Sequence, residues 1–229
     1  MGFTTHRRIS TFLVVIVASL FTRVATADTI KIDTVGPDGL PDVIVGSFGE
    51  PNAATGGQTF IAPLHARRLD RFTFYLFYVE GGPTRFAGYV GGWDGEKVSE
   101  PLLYQSSERQ VSTPLVAVPV TFETGGIPVT PGRRYVAFLS ASPFFDGVDD
   151  NTNLFLEDDV YAGGGHVALA NGGNFGEVFT TAWGGGLRPR DLTFTAEFSA
   201  VPEPSTMILV GSGVVALAAR RARRRAVRC

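Results

Sequence analysis

The sequence has almost no cysteine, because its one thiol, Cys229, stands at the last position. A chain with no second cysteine forms no internal disulfide, and the region before Cys229 offers no Cys-ligated metal site. Charge is also scarce: 18% of residues are Asp, Glu, Lys or Arg, whereas 44% are hydrophobic. This composition argues against disorder and predicts a globular domain held together by its core.

Helical periodicity is missing from about residue 28 to about residue 200, where apolar residues never recur at helical spacing for three turns. Strict alternation occurs instead from Arg68 to Val79 and from Leu192 to Ser199, as in half-buried strands. Shorter strand-like runs are Arg85 to Val90, Leu102 to Gln105, Leu115 to Phe122, Arg133 to Leu139 and His166 to Ala170. With 28 glycines to supply turns, the pattern predicts an all-β, antiparallel two-sheet β-sandwich of jelly-roll type.

Basic residues are few in this central region. Nine of the 20 lie in the two ends of the chain, which leaves 11 between Asp28 and Pro204 against all 22 acidic residues, a formal charge of −11. A surface of that sign repels phosphate backbones, so we expect no nucleic-acid partner for the folded domain.

The first 27 residues have the three parts of a secretory signal. Arg7 and Arg8 precede an apolar run from Phe12 to Phe21, and Ala25 and Ala27 supply the small residues that signal peptidase needs before its cleavage site. We therefore predict that residues 1–27 form a signal helix and that signal peptidase is a processing partner. The alternative is an uncleaved N-terminal anchor, although the apolar run is short for a membrane span.

The last 29 residues also have three parts: Val201-Pro202-Glu203-Pro204-Ser205, an apolar stretch at 206–219, and a basic tail at 220–229. The two prolines keep the first part extended. The apolar stretch is shorter than the ~20 residues of a typical span, but flanking arginines can snorkel and thin the bilayer around it. Because positive charges flanking a membrane segment stay on the cytoplasmic side, these arginines also predict that the tail is cytoplasmic. From the residues alone, a plain C-terminal anchor remains an alternative to a processed one.

This arrangement resembles the PEP-CTERM sorting signal of Gram-negative bacteria. The resemblance implies that a membrane-embedded exosortase recognises Pro202, Glu203 and Pro204 and cuts nearby. The expected organisation is then a signal peptide at 1–27, a β-sandwich ectodomain at 28–200 and a sorting signal at 201–229. The protein would pass from an inner-membrane-anchored precursor to the cell envelope, the outer surface or the medium.

Catalytic groups are sparse in the central region, which has two histidines, no cysteine and no G-x-S-x-G elbow. We therefore expect no enzyme and no required cofactor. The best metal candidate is a calcium site, because Asp149, Asn151 and Asn153 offer oxygens at i, i+2 and i+4. It is not an EF-hand, since Leu154 stands where that loop needs Gly. The alternative is a solvated acidic loop.

Tryptophan occurs only twice, at Trp93 and Trp183. Aromatic rings near turns can stack on sugars, so Trp93 with Asp94, and Trp183, are candidate ligand contacts; the alternative is that both rings fill the core.

The sequence as a whole leaves two candidate functions. The first is a non-catalytic envelope or matrix protein associated with exopolysaccharide or biofilm, as the resemblance suggests. The second is a carbohydrate- or calcium-dependent binding module with a defined ligand.

Overall fold

The computed structural model describes residues 29–36, 43–51, 53–81, 83–111, 117–185 and 190–200, with the backbone alone at 43–47, 78–81 and 151. The predicted signal peptide and the predicted sorting tail at 201–229 both lie outside the described residues. Within the described residues, no helix is long and apolar enough to cross a membrane.

Alternating apolar and polar residues form extended strands throughout the described chain. One helix, α1, is a single turn at Glu177–Thr180, and a 3₁₀ turn covers Ser142–Phe144. The strands are β1 (Thr29–Asp33), β2 (Val43–Glu50), β3 (Thr55–Ile61), β4 (Arg68–Gly81), β5 (Thr84–Trp93), β6 (Val98–Gln105), β7 (Arg109–Val111), β8 (Ala117–Pro128), β9 (Arg134–Ser140), β10 (Asp150–Asp158), β11 (His166–Leu169), β12 (Gly184–Gly185), β13 (Arg190–Leu192) and β14 (Phe194–Ser199).

These strands form two seven-stranded sheets, with antiparallel pairing between strands. In the first sheet the order is β1-β14-β4-β10-β13, with β2 paired to β10 and β8 paired to β4. In the second the order is β12-β11-β3-β9-β5-β6, with β7 paired to β5. The first and last strands are neighbours, since Thr29 lies opposite Ser199. The predicted all-β, two-sheet antiparallel architecture is confirmed.

The main core lies between the sheets and is rich in phenylalanine. Phe72 and Phe74 of β4 face inward as the alternation predicts, and Phe72 stacks on Phe122 with ring centroids 4.9 Å apart. Gly88 of the opposite sheet leaves room for that ring, because a Cβ there would lie 2.6 Å from the Phe122 ring. The glycine is thus a packing requirement of the core.

A second apolar cluster covers the outer face of the second sheet. Tyr89 and Phe138 stack on that face at 5.0 Å, and the segment from Leu169 to Trp183, which includes α1, folds over them. Burial raises the pKa of Tyr89 to about 12. This face is therefore a third packed layer and is largely closed to solvent.

Candidate functional site

The two tryptophans predicted as ligand contacts lie together on the outer face of the second sheet. Their rings meet edge to face with centroids 5.7 Å apart, although the residues are 90 positions apart in the sequence. Trp183 is only 7% exposed, and its Nε1 donates a hydrogen bond to the carbonyl of Val178 at 3.0 Å. Trp93 is half-buried at the end of β5. Trp183 thus fixes the ring of Trp93, which is the one that solvent reaches.

Asp94 follows Trp93 and is exposed in the turn between β5 and β6. One carboxylate oxygen accepts hydrogen bonds from the amides of Glu96 and Lys97, both at 2.9 Å, and the other lies 3.2 Å from the ammonium of Lys97. These backbone hydrogen bonds lower the pKa of Asp94. The carboxylate therefore holds the turn beside Trp93, and its side chain is exposed there.

The three residues of the predicted calcium site are not in one loop. Asp149 is exposed just before β10, whereas Asn151 and Asn153 are strand residues paired with neighbours on both sides of β10. The expected i, i+2, i+4 loop is therefore a loop-to-strand junction, where an extended backbone cannot wrap an ion with successive carbonyls. In the part of the chain that the structure describes, no group of three or more His, Cys, Asp or Glu side chains could hold a metal ion. Calcium binding by these residues stays a prediction.

A buried polar network at the side of the sandwich was not foreseen from the sequence. Gln58 and Asp191 are both 0% exposed, and the Gln58 Nε2 donates to the Asp191 Oδ1 at 2.7 Å. The other Asp191 oxygen accepts the amides of Val160 and Tyr161 at 3.0 and 2.7 Å, and the Gln58 Oε1 accepts the Leu192 amide at 2.7 Å. Desolvation by burial raises the pKa of Asp191, and these donors act in the opposite direction.

His166, one of the two histidines available for chemistry, starts β11 opposite Gln58. It is half-buried, and desolvation lowers its pKa to about 4. At neutral pH the imidazole is therefore uncharged. His65, the other histidine, is exposed in the connection between β3 and β4.

Comparison with solved structures finds similarity at low sequence identity. A clostridial cysteine protease, a Cwp84 variant after propeptide cleavage, matches with 12% identity and a TM-score of 0.50, over 76% of this chain and 41% of that one. A structure of the cysteine protease and lectin-like domains of Cwp84, a surface layer associated protein of Clostridium difficile, matches with 11% identity and a TM-score of 0.44, over 66% of this chain and 32% of that one. The chain thus spans less than half of either structure, and the first likeness concerns the fold alone.

No curated protein matches the sequence. A family model does match the C-terminal segment, at residues 200–225, and it describes a PEP-CTERM protein-sorting motif. The match includes Pro202, Glu203, Pro204, the apolar stretch and most of the arginine cluster. The chain therefore carries a PEP-CTERM protein-sorting motif, which implies an exported protein that an exosortase-type system sorts.

Proposed function

We propose that the protein is a non-catalytic component of the cell envelope or extracellular matrix, associated with exopolysaccharide or biofilm. An exosortase-type enzyme releases it from its C-terminal membrane segment. The proposal rests on the sorting motif at residues 200–225. This motif follows directly on the last strand of a β-sandwich. The buried Asp191 is held in structural hydrogen bonds within that sandwich and serves its stability. Pro202, Glu203 and Pro204 are the residues that the processing enzyme reads.

The test changes Pro202, Glu203 and Pro204 to Ala in the producing cell. The variant should stay in the membrane fraction with its full C-terminus, whereas the mature wild-type protein should lack Cys229 and the arginines by intact-mass measurement. A matched control changes three exposed residues of β8, Pro119, Glu123 and Pro128, to Ala. A mature wild-type protein that keeps its full C-terminus would disprove processing. The association with exopolysaccharide is tested in cells that make none. The mature protein should be lost from the surface of these cells.

A second candidate function is a carbohydrate-binding module centred on Trp93. The observation that favours it is the pairing of Trp93 with Trp183 beside the exposed carboxylate of Asp94. A half-buried ring held from behind by a second ring, with a hydrogen-bonding group at its edge, suits stacking against a sugar face. Calcium dependence through Asp149, Asn151 and Asn153 is the variant of this proposal that EDTA tests.

Retention on immobilised polysaccharides separates the two functions. The Trp93→Ala variant should lose retention, while Tyr75→Ala, which removes a half-buried ring from the other sheet, should keep it. If the wild-type protein is retained on no glycan, with or without EDTA, the binding-module proposal is wrong.

A further inference from the structure

Two segments that are far apart in the sequence form one end of the sandwich. Residues 62–68 comprise the connection from β3 to β4 and the first residue of β4, and residues 128–134 comprise the connection from β8 to β9 with the strand residue on either side of it. Three backbone hydrogen bonds join them: Ala62 N to the Arg133 carbonyl at 3.0 Å, Gly132 N to the Ala62 carbonyl at 2.8 Å, and Val129 N to the Arg67 carbonyl at 2.9 Å. We call these two segments the tail-side pole, a rigid surface rather than two independent loops.

The tail-side pole is basic, in contrast to the rest of the domain. It carries four exposed arginines and no Asp or Glu, although the region from Asp28 to Pro204 has twice as many acidic as basic residues. None of the four makes a salt bridge to a carboxylate in the described parts of the chain. In the turn between β5 and β6, by contrast, the cation Lys97 is paired with Asp94 of the same turn. The four arginines are Arg67, Arg68, Arg133 and Arg134.

A large apolar side chain stands at the tip of this basic surface. Leu64 is 75% exposed, the highest value among the exposed large hydrophobic residues of the described chain. It lies between Pro63 and His65, on a turn that the Ala66 amide closes by donating to the Pro63 carbonyl at 2.9 Å. An exposed leucine surrounded by cations fits an interface between water and lipid headgroups.

The chain also leaves the sandwich at this pole. The Arg67 amide donates to the carbonyl of Ser199, the last residue of β14, at 3.0 Å. The sorting motif begins at the next residue, 200. Whatever membrane segment the motif provides is therefore connected to the domain beside the four arginines.

The opposite end of the sandwich is acidic. Glu50 accepts the amides of Asp146 and Gly147 at 2.9 Å, and its own amide donates to Asp150 at 3.1 Å. Arg85, a cation within this cluster, is engaged by Glu108 at 2.7 Å and lies 3.7 Å from Asp146. The tail-side pole, where the sorting motif begins, is thus basic, although the exposed Glu96 lies in the neighbouring turn between β5 and β6, and the cluster at the opposite end is acidic.

We propose that the tail-side pole docks on anionic phospholipid headgroups while the sorting motif holds the protein at the bilayer. The tethering of the protein by the sorting motif rests on the proposed function. Each arginine near an anionic membrane surface favours docking by about fivefold. Because the four fivefold effects multiply, the four arginines together can shift the ratio of docked to undocked protein by a factor on the order of several hundred. Leu64 inserts among the headgroups, and the acidic end faces away from the membrane.

The test uses the full chain in proteoliposomes, with Cys229→Ser to remove the native thiol. A polarity-sensitive fluorophore is attached at Leu64→Cys or, as the matched control, at Val148→Cys, which is 60% exposed in the acidic loop at the other end. Vesicles are phosphatidylcholine alone or mixed with phosphatidylglycerol, and they carry a lipid-bound quencher. We expect quenching at position 64 only in the anionic vesicles, with loss of quenching at high salt or on replacing the four arginines with Gln.

Flotation of the same samples separates tethering from docking. Protein that floats with both vesicle types but shows equal quenching at positions 64 and 148 is tethered and undocked, which would overturn the docking proposal and leave the sorting proposal intact. Failure to float with anionic vesicles overturns docking as well. Replacing Arg109, an exposed arginine of β7, with Gln should leave the quenching at position 64 unchanged.

Discussion

Replacing Gln58 with Leu should strongly destabilise the domain, because Gln58 satisfies two buried groups at once. Its Nε2 donates to the Asp191 Oδ1, and its Oε1 accepts the Leu192 amide, both at 2.7 Å. Leucine has nearly the same size but makes neither hydrogen bond. Each buried group left without a partner costs about 1–3 kcal/mol, so the free energy of unfolding should fall by about 2–6 kcal/mol.

The loss should depend on pH in a defined direction. Burial raises the pKa of Asp191, so the folded state favours the neutral carboxyl more than the unfolded state does, and stability declines as pH rises through that raised pKa. Removing the Gln58 donor removes one group that favours the ionised carboxyl. The deficit of Gln58→Leu should therefore be larger at neutral pH than at acidic pH.

Urea unfolding of residues 28–200, followed by tryptophan fluorescence, measures this deficit. Gln105→Leu is the matched control, because Gln105 is exposed on β6 and its replacement should change the free energy of unfolding by less than about 0.5 kcal/mol. If Gln58→Leu is no more destabilising than Gln105→Leu, the network does not stabilise the fold, and the reasoning from buried partners is refuted.

Two further perturbations have definite expected results. His166 has a pKa of about 4, below its ordinary 6.5, so the stability it contributes should be present above pH 6.5 and be lost as pH falls toward 4, by on the order of 1–3 kcal/mol. An NMR titration showing His166 protonated near pH 6.5, or a pH dependence unchanged by His166→Gln, would contradict this. Gly88→Ala should cost about 1–3 kcal/mol by thermal unfolding, since its Cβ would lie 2.6 Å from the Phe122 ring; Gly173→Ala, where the nearest atom is 3.7 Å away, should be mild, and equal effects would refute the packing argument.

Alternation in the sequence was sufficient to predict three strands of the first sheet. The run from Arg68 to Val79 became β4, and the run from Leu192 to Ser199 became parts of β13 and β14, with a break at Thr193, whose amide bonds to Phe155 instead. Local pattern succeeds there because one face of each strand meets the core and the other meets water.

Other elements depended on contacts that no local pattern reveals. The acidic residues before Leu154 indicated a loop, but from Asp150 onward the chain is strand β10, since pairing with β2 and β4 overrides the poor strand propensity of Asp and Asn. The β3 segment TGGQTFI has glycines where β9 and the core approach closely, which hides its alternation. The layer that covers Tyr89 and Phe138 is irregular and has no period to detect.

The sequence offered the residues of the candidate site one by one and did not predict their arrangement. Trp93 and Trp183 were separate candidates, and only the folding of the segment before Trp183 over the second sheet brings them into contact. Likewise, the four arginines of the tail-side pole stand in two dipeptides 66 positions apart, which backbone pairing between the loops joins. Both features arise from contacts between residues distant in sequence.

The pairing of β1 with β14 has a consequence for the order of events during export. Thr29 can pair with Ser199 only once the end of the domain is available, so β1, whose partner among the described strands is β14 alone, has no partner strand until then. Contacts of such large sequence separation form slowly. The first sheet is therefore completed only by the strand that directly precedes the sorting motif, and a chain truncated before β14 would present an unpaired β4 edge that proteases and chaperones can recognise.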